Sequence, residues 1–206
     1  MKRYLIFDLD GTLIKSLSGA LDIVLSYLSK NYWTDPEYAR YVIMQNMGKP
    51  LKKMIELIYP DKSSEEIDKI TKELYNELEK LKSDFFPGVP DMIKRLSKKY
   101  DLFLTTWNST KVAKEHLEKW WILEDFKVVL WSDNLLKWPE HMEYFKNFSN
   151  DEDFFKKAVY IWDGNSDREI AKMYQVDFVH IWNDGKDRYE IPVVTDLEKI
   201  LPIIEV

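Results

Sequence analysis

The chain contains no cysteine. That excludes disulfides, thiolate nucleophiles and cysteine-ligated metals, and it suits a reducing, cytoplasmic setting. Long apolar runs are also missing: no segment approaches the about 18 uninterrupted apolar residues of a membrane span. The apolar stretch 4–7 runs straight into Asp8, too short for the core of a signal peptide, so neither a leader nor a membrane anchor is expected. Basic charge is in deficit. Thirty Lys and Arg stand against 36 Asp and Glu, a net charge of −6, and such a field repels nucleic acid and anionic lipid. An anionic substrate would therefore need local help. The three histidines, His116, His141 and His180, sit apart without ligand spacing and read as structural or surface residues. Internal repeats and low-complexity tracts are absent too. What remains is a 206-residue chain, 45% apolar and 32% charged, with the composition of a globular protein and room for one domain plus a modest insertion. The expected partner is a small molecule, and the expected state is monomer or homodimer. Aromatic residues reach 15% and include eight tryptophans.

Tyr4-Leu5-Ile6-Phe7 is a continuous apolar run ended by Asp8-Leu9-Asp10-Gly11-Thr12, the pattern of a strand buried on both faces that stops at a polar loop. Three later segments repeat it: 102–106, 128–131 and 159–163, each separated from the next by a helical pattern. Strands alternating with helices predict an α/β fold, a doubly wound, Rossmann-like parallel sheet. Segments 177–182 and 192–194 add the last one or two strands, and Leu197 to Leu201 a final helix.

About ninety residues separate the first two strands, far more than a simple crossover needs, so a unit is inserted there. The insert reads helical. Leu21, Val24, Leu25 and Leu28 keep helical spacing, Pro36 opens a second helix through Met47, and Pro50 a third through Tyr59. Ser63 with Glu66 forms a capping box before Ile67, Ile70, Leu74, Leu78 and Leu81 on one face of a fourth. The expected organisation is a core of residues 1–14 and 86–206 and a four-helix insert of residues 15–85. Phe86-Pro87-Gly88-Val89-Pro90 breaks the last insert helix, and Pro90 opens a helix from Asp91 to Lys99.

Open α/β sheets bind ligands at the carboxyl ends of their strands. The residues there are polar and mostly acidic: Asp8 and Asp10, then Thr106 and Asn108, then Ser132 to Lys137, then Asp163 and Asp167. Carboxylates converging without a counter-ion repel by about 4 kcal/mol per pair at about 4 Å and an effective dielectric near 20. A hard divalent cation relieves that, and all-oxygen ligands with waters favour magnesium.

Asp8-Leu9-Asp10-Gly11-Thr12 resembles the first motif of the haloacid dehalogenase-like hydrolases. Leu104-Thr105-Thr106 is similar to that family's second motif, Lys137-Trp138-Pro139 to its third, and Ile161-Trp162-Asp163-Gly164-Asn165-Ser166-Asp167 to its fourth. Phe86-Pro87-Gly88-Val89 is similar to its return from a helical cap inserted after the first motif, and the resemblance covers nearly the whole chain. Three positions depart from the pattern: Trp162 stands where Gly is usual, Trp107 separates Thr106 from Asn108, and Lys15 replaces an acid before Ser16.

The resemblance implies a magnesium-dependent phosphatase. Asp8 is then the nucleophile and Asp10 the general acid and base. Thr106, with Thr105 as the alternative, holds a phosphoryl oxygen beside Asn108, and Lys137, with Lys146 as the alternative, balances charge. Asp8, Asp10 through its carbonyl, Asp163 and Asp167 serve the cation. An acid at position 10 separates phosphatases from the dehalogenating members, which need none. A phosphomutase with the same aspartyl phosphate is the alternative, and a catalytically silent binding module is a third reading. In the insert, Gly48-Lys49-Pro50 is either a plain turn or a loop whose Lys49 reads the substrate. Trp107, Trp131, Trp138, Trp162 and Trp182 fall at or just beyond strand ends or beside the proposed catalytic groups; one or more are expected to line the rim of the site, the alternative being that they pack between core and cap.

Overall fold

A computed structural model describes residues 1–47, 49–81, 83–108, 110–131, 137, 139–181 and 197–204. The expected strand at 192–194, together with Gly48, Ser132, Trp138 and Trp182, lies outside the described residues. By its internal contacts the chain divides into two compact units, one of residues 1–15 and 84–206 and one of residues 16–83.

The first unit is built on β1 (Tyr4–Asp8), β2 (Asp101–Thr105), β3 (Phe126–Leu130), β4 (Ala158–Trp162) and β5 (Asp177–His180). All pairings are parallel, in the order β3-β2-β1-β4-β5. The helices of this unit are α5 (Val89–Leu96), α6 (Thr110–Lys119), α7 (Glu140–Ser149), α8 (Phe154–Lys157), α9 (Asn165–Tyr174) and α10 (Leu197–Ile204). Strand alternation sorts the side chains onto two faces. Leu5, Phe7, Leu102, Leu104, Val159 and Ile161 pack with residues of α5, α6 and α10. Tyr4, Ile6, Phe103, Tyr160 and Trp162 pack with residues of α7, α8 and α9. The sheet is therefore covered on both sides, which is why β1 and β4 are buried at every position and read as unbroken apolar runs.

The second unit carries α1 (Leu17–Tyr32), α2 (Pro36–Gln45), α3 (Leu51–Ile58) and α4 (Ser64–Leu78) around its own core of Val24, Leu25, Leu28, Ile43, Ile55, Ile67, Ile70 and Leu74. Asp35 caps α2, its carboxylate accepting from the backbone N–H groups of Glu37 and Tyr38 at 2.7 and 3.0 Å, with Pro36 in the first turn. The α4 capping box is present in both directions. The α4 helix stops at Leu78 rather than Leu81, because the N–H groups of Lys80 and Leu81 bond three residues back to Glu77 and Leu78 and tighten the chain out of α-helical pitch. Gly88, at φ 82°, caps α5 in a left-handed conformation that a side chain would strain, and that helix starts at Val89, ahead of the expected Asp91. Among the described residues, no helix is long and apolar enough to cross a membrane.

Candidate active site

Parallel strands in near register bring their carboxyl ends to one edge. Asp8 pairs with Thr105, Phe7 with Ile161, and Thr105 with Leu130. The polar residues that follow β1, β2 and β4 therefore start from the same level. The turn after β1 is held by backbone bonds from Gly11 to Ile14 and from Leu13 and Ile14 to Leu9. Gly11 sits at φ 74° in that turn, where a Cβ would be strained.

Asp8 is buried, and the Lys137 ammonium donates to its Oδ1 at 2.7 Å. Lys137 is itself 1% exposed and also pairs with Asp167 Oδ1 at 3.2 Å. Asp167, from the first turn of α9, receives the Tyr160 hydroxyl on the same oxygen at 2.6 Å. Asp10 faces another way: its Oδ2 accepts from Thr106 Oγ1 at 3.2 Å and from Asn108 Nδ2 at 2.5 Å. The Thr106 N–H is tied to the Leu130 carbonyl at 3.1 Å. Thr105 turns to the opposite face and pairs with His141 Nδ1 at 2.8 Å. Thr12 reaches toward Asp163 Oδ1 at 3.5 Å, and His180 Nε2 lies 3.1 Å from the Asp163 carbonyl.

The electrostatics follow from that crowding. Burial lifts the Asp8 carboxyl to about 7; Lys137 opposes the shift, while Asp167 and Asp10 add to it. Asp163 is pushed well above the usual carboxylate range, first by burial and then by the charges of Asp8 and Asp167. Lys137 is held above the ordinary lysine value: burial works against its charge, and Asp167 and Asp8 outweigh burial. It stays an ammonium. The Tyr160 phenol is raised well above its ordinary value by burial and by Asp167, so it stays a donor.

Among the described residues, no group of three or more His, Asp or Glu is placed to hold a metal ion. Magnesium does not require one, since it takes one or two carboxylates and fills its octahedron with water and substrate oxygens. Asp8 and Asp163, the second burdened by the charge of the first, are hard donors that such a cation would relieve. The Asp10 side chain is directed to Thr106 and Asn108.

Of the residues singled out by sequence, the structure brings together Asp8, Lys137 and Asp167 in one group and Asp10, Thr106 and Asn108 in another. Lys146 pairs instead with Glu152 at 3.7 Å. Lys49 belongs to the helical unit, exposed, with its ammonium on Asn46 Oδ1 at 2.7 Å. Trp162 corrects an expectation. It is wholly buried in the sheet core, its ring 4.8 Å from Tyr160 and 4.9 Å from Phe178, because strand alternation puts it on the Tyr160 face, which α7, α8 and α9 cover. Tyr160 and His141 were not singled out as site residues. A polar tip inside an otherwise apolar strand run was the one available signal for Tyr160.

No curated protein matches the chain in sequence. Solved structures share its fold. A hydrolase from Pseudomonas syringae is 16% identical, with 99% of each chain covered and a TM-score of 0.81. A predicted phosphoglycolate phosphatase from Haemophilus somnus is 18% identical, with 97% of this chain and 98% of that one covered and a TM-score of 0.74. The Bacillus subtilis protein YfnB, a candidate HAD-hydrolase solved bound to magnesium, is 16% identical, with 100% and 99% covered and a TM-score of 0.65. A family model for haloacid dehalogenase-like hydrolase matches residues 5–181. Since that match spans most of the chain and reaches every strand of the sheet, this protein belongs to the haloacid dehalogenase-like hydrolases.

Proposed function

We propose that this protein is a magnesium-dependent phosphatase that hydrolyses a small phosphate monoester through an aspartyl phosphate on Asp8. The observation that carries the reading is the buried Lys137 ammonium, 2.7 Å from Asp8 Oδ1, at the same sheet edge where Thr106 and Asn108 converge on Asp10. An Asp8 oxygen forms a bond to phosphorus as the bond to the leaving oxygen breaks, and Asp10 gives that oxygen its proton. Water then attacks phosphorus, the bond to Asp8 breaks, and Asp10 takes the proton back. Thr106 and Asn108 hold Asp10 in place; the second amide hydrogen of Asn108 serves a phosphoryl oxygen, the Thr106 hydroxyl serves one when it turns from Asp10, and Lys137 balances the negative charge shared by Asp8 and the phosphoryl group. Asp8, Asp163 and the Asp10 carbonyl, with Asp167, would hold a magnesium ion, which would supply charge neutralisation when bound. The magnesium-bound Bacillus subtilis neighbour and the Haemophilus somnus neighbour support this reading by likeness.

We take the helical unit to be a cap that gives substrate selection, and the protein to act in the cytoplasm as a monomer or homodimer. The test is phosphate release from 2-phosphoglycolate, sugar phosphates, nucleotides and para-nitrophenyl phosphate, with magnesium and with chelator. Magnesium-dependent release from at least one ester is expected. Isomerised sugar phosphate without release would mark a phosphomutase, and inertness toward all of them would leave a binding module.

A further inference from the structure

Tyr160 lies in the middle of β4, wholly buried on the aromatic face of the sheet with its ring against Trp162. A phenol placed there costs stability unless its hydroxyl finds a partner. The partner is Asp167 Oδ1, at a charge-assisted 2.6 Å. The same oxygen meets the Lys137 ammonium at 3.2 Å, and Lys137 meets Asp8 Oδ1 at 2.7 Å. We propose that Tyr160 is a positioning residue of this site, fixing the Asp167 carboxylate so that it holds the Lys137 ammonium beside Asp8.

The physical need is plain. Lysine is a point charge on a flexible four-carbon stem, so one partner leaves its ammonium free to swing. On the reading above, on which this inference rests, Asp8 loses its carboxylate charge when it becomes an acyl phosphate. Lys137 then loses the Asp8 charge as an anchor, and Asp167, itself fixed by Tyr160, keeps the ammonium turned toward the phosphoryl oxygens. The hydroxyl of Tyr160 therefore matters most while the phosphoenzyme awaits water.

The experiment is a cycle of Tyr160→Phe, Asp167→Asn and the double variant in the full chain, reading magnesium-dependent phosphate release and thermal unfolding. Tyr160→Phe is expected to lower kcat about tenfold to a hundredfold, the usual range for residues that orient a functional group, with KM unchanged. In the Asp167→Asn background it is expected to cost nothing further. Equal losses of kcat in both backgrounds would show a merely structural role and overturn the proposal. Should Tyr160→Phe fail to fold, Asp167→Asn is read alone: a loss of kcat with KM unchanged keeps the proposal, and an unchanged kcat overturns it. If the wild-type chain releases no phosphate from any ester, the phosphatase reading falls, and the unfolding cycle decides alone. A double variant that loses less in Tm than the two single variants together keeps Tyr160 as the residue that fixes Asp167, and strict additivity removes it.

Discussion

At the scale of single residues, the site separates two aspartates two positions apart into different surroundings. Asp8 is buried against an ammonium, and Asp10 accepts from a hydroxyl and an amide. Different surroundings suit different roles, one carboxylate to attack and one to exchange a proton. Asp8→Asn removes the attacking oxygen while preserving volume. Turnover is expected to vanish with the circular dichroism spectrum unchanged, and appreciable magnesium-dependent activity in that variant would overturn the nucleophile assignment. Asp10→Asn keeps an acceptor for Thr106 and Asn108 but has no proton to exchange. Both formation and breakdown of the phosphoenzyme are expected to slow, by about 10²- to 10⁴-fold; rapid-quench measurement separates the two steps, and a change confined to KM would contradict the role.

At the scale of elements, α4 gives the sharpest test because its start is defined atom by atom. The Glu66 carboxylate accepts from the Ser63 N–H at 3.0 Å, and the Glu66 N–H donates to Ser63 Oγ at 3.3 Å. Ser63→Ala removes one half of this box and is expected to destabilise the helical unit by about 1 kcal/mol, read by chemical unfolding. The Glu66 carboxyl is drawn down to about 2, chiefly by the Ser63 N–H and then by the Lys62 ammonium. Its folded value lies below its unfolded value of about 4.5. The stabilisation is therefore complete above about pH 4.5 and is lost as pH falls toward about 2. A Tm profile between those limits should fall more steeply for the wild-type chain than for Glu66→Gln; parallel profiles would refute the linkage. Elements also show what periodicity reveals. Strand runs buried on both faces and the i, i+3, i+4 pattern of α4 are written in apolar spacing, whereas the last turn of α4 was not, because its ending depends on backbone bonds that spacing does not encode.

At the scale of the whole molecule, the site exists only because distant segments meet. Asp8 and Lys137 are 129 positions apart, and Asp10 and Asn108 are 98 apart. Such a constellation belongs to the folded state alone, so a cation that binds it stabilises the fold by mass action. Magnesium at neutral pH is expected to raise Tm, with a gain of about 2.7 kcal/mol at a concentration about a hundred times Kd. Chelator should reverse the shift and Asp163→Asn should abolish it. A Tm indifferent to magnesium would mean that the paired carboxylates are not a cation site.

The sequence by itself determined the alternation of strands and helices, the helical insert and the clustering of acidic and hydroxyl residues at strand ends. These are local patterns: burial on both faces makes a strand uniformly apolar, and a strand end returns the chain to polar residues. Tertiary structure alone decided which side chains meet. Thr106 faces Asp10 while Thr105 faces His141, because neighbours on a strand point to opposite sides of the sheet. Tyr160 and Trp162, two positions apart on β4, share one face of the sheet, where the Tyr160 hydroxyl meets Asp167 and Trp162 packs wholly into the core. Apolar content specifies that a strand is buried, but only pairing and pleat fix the direction in which each of its polar atoms points.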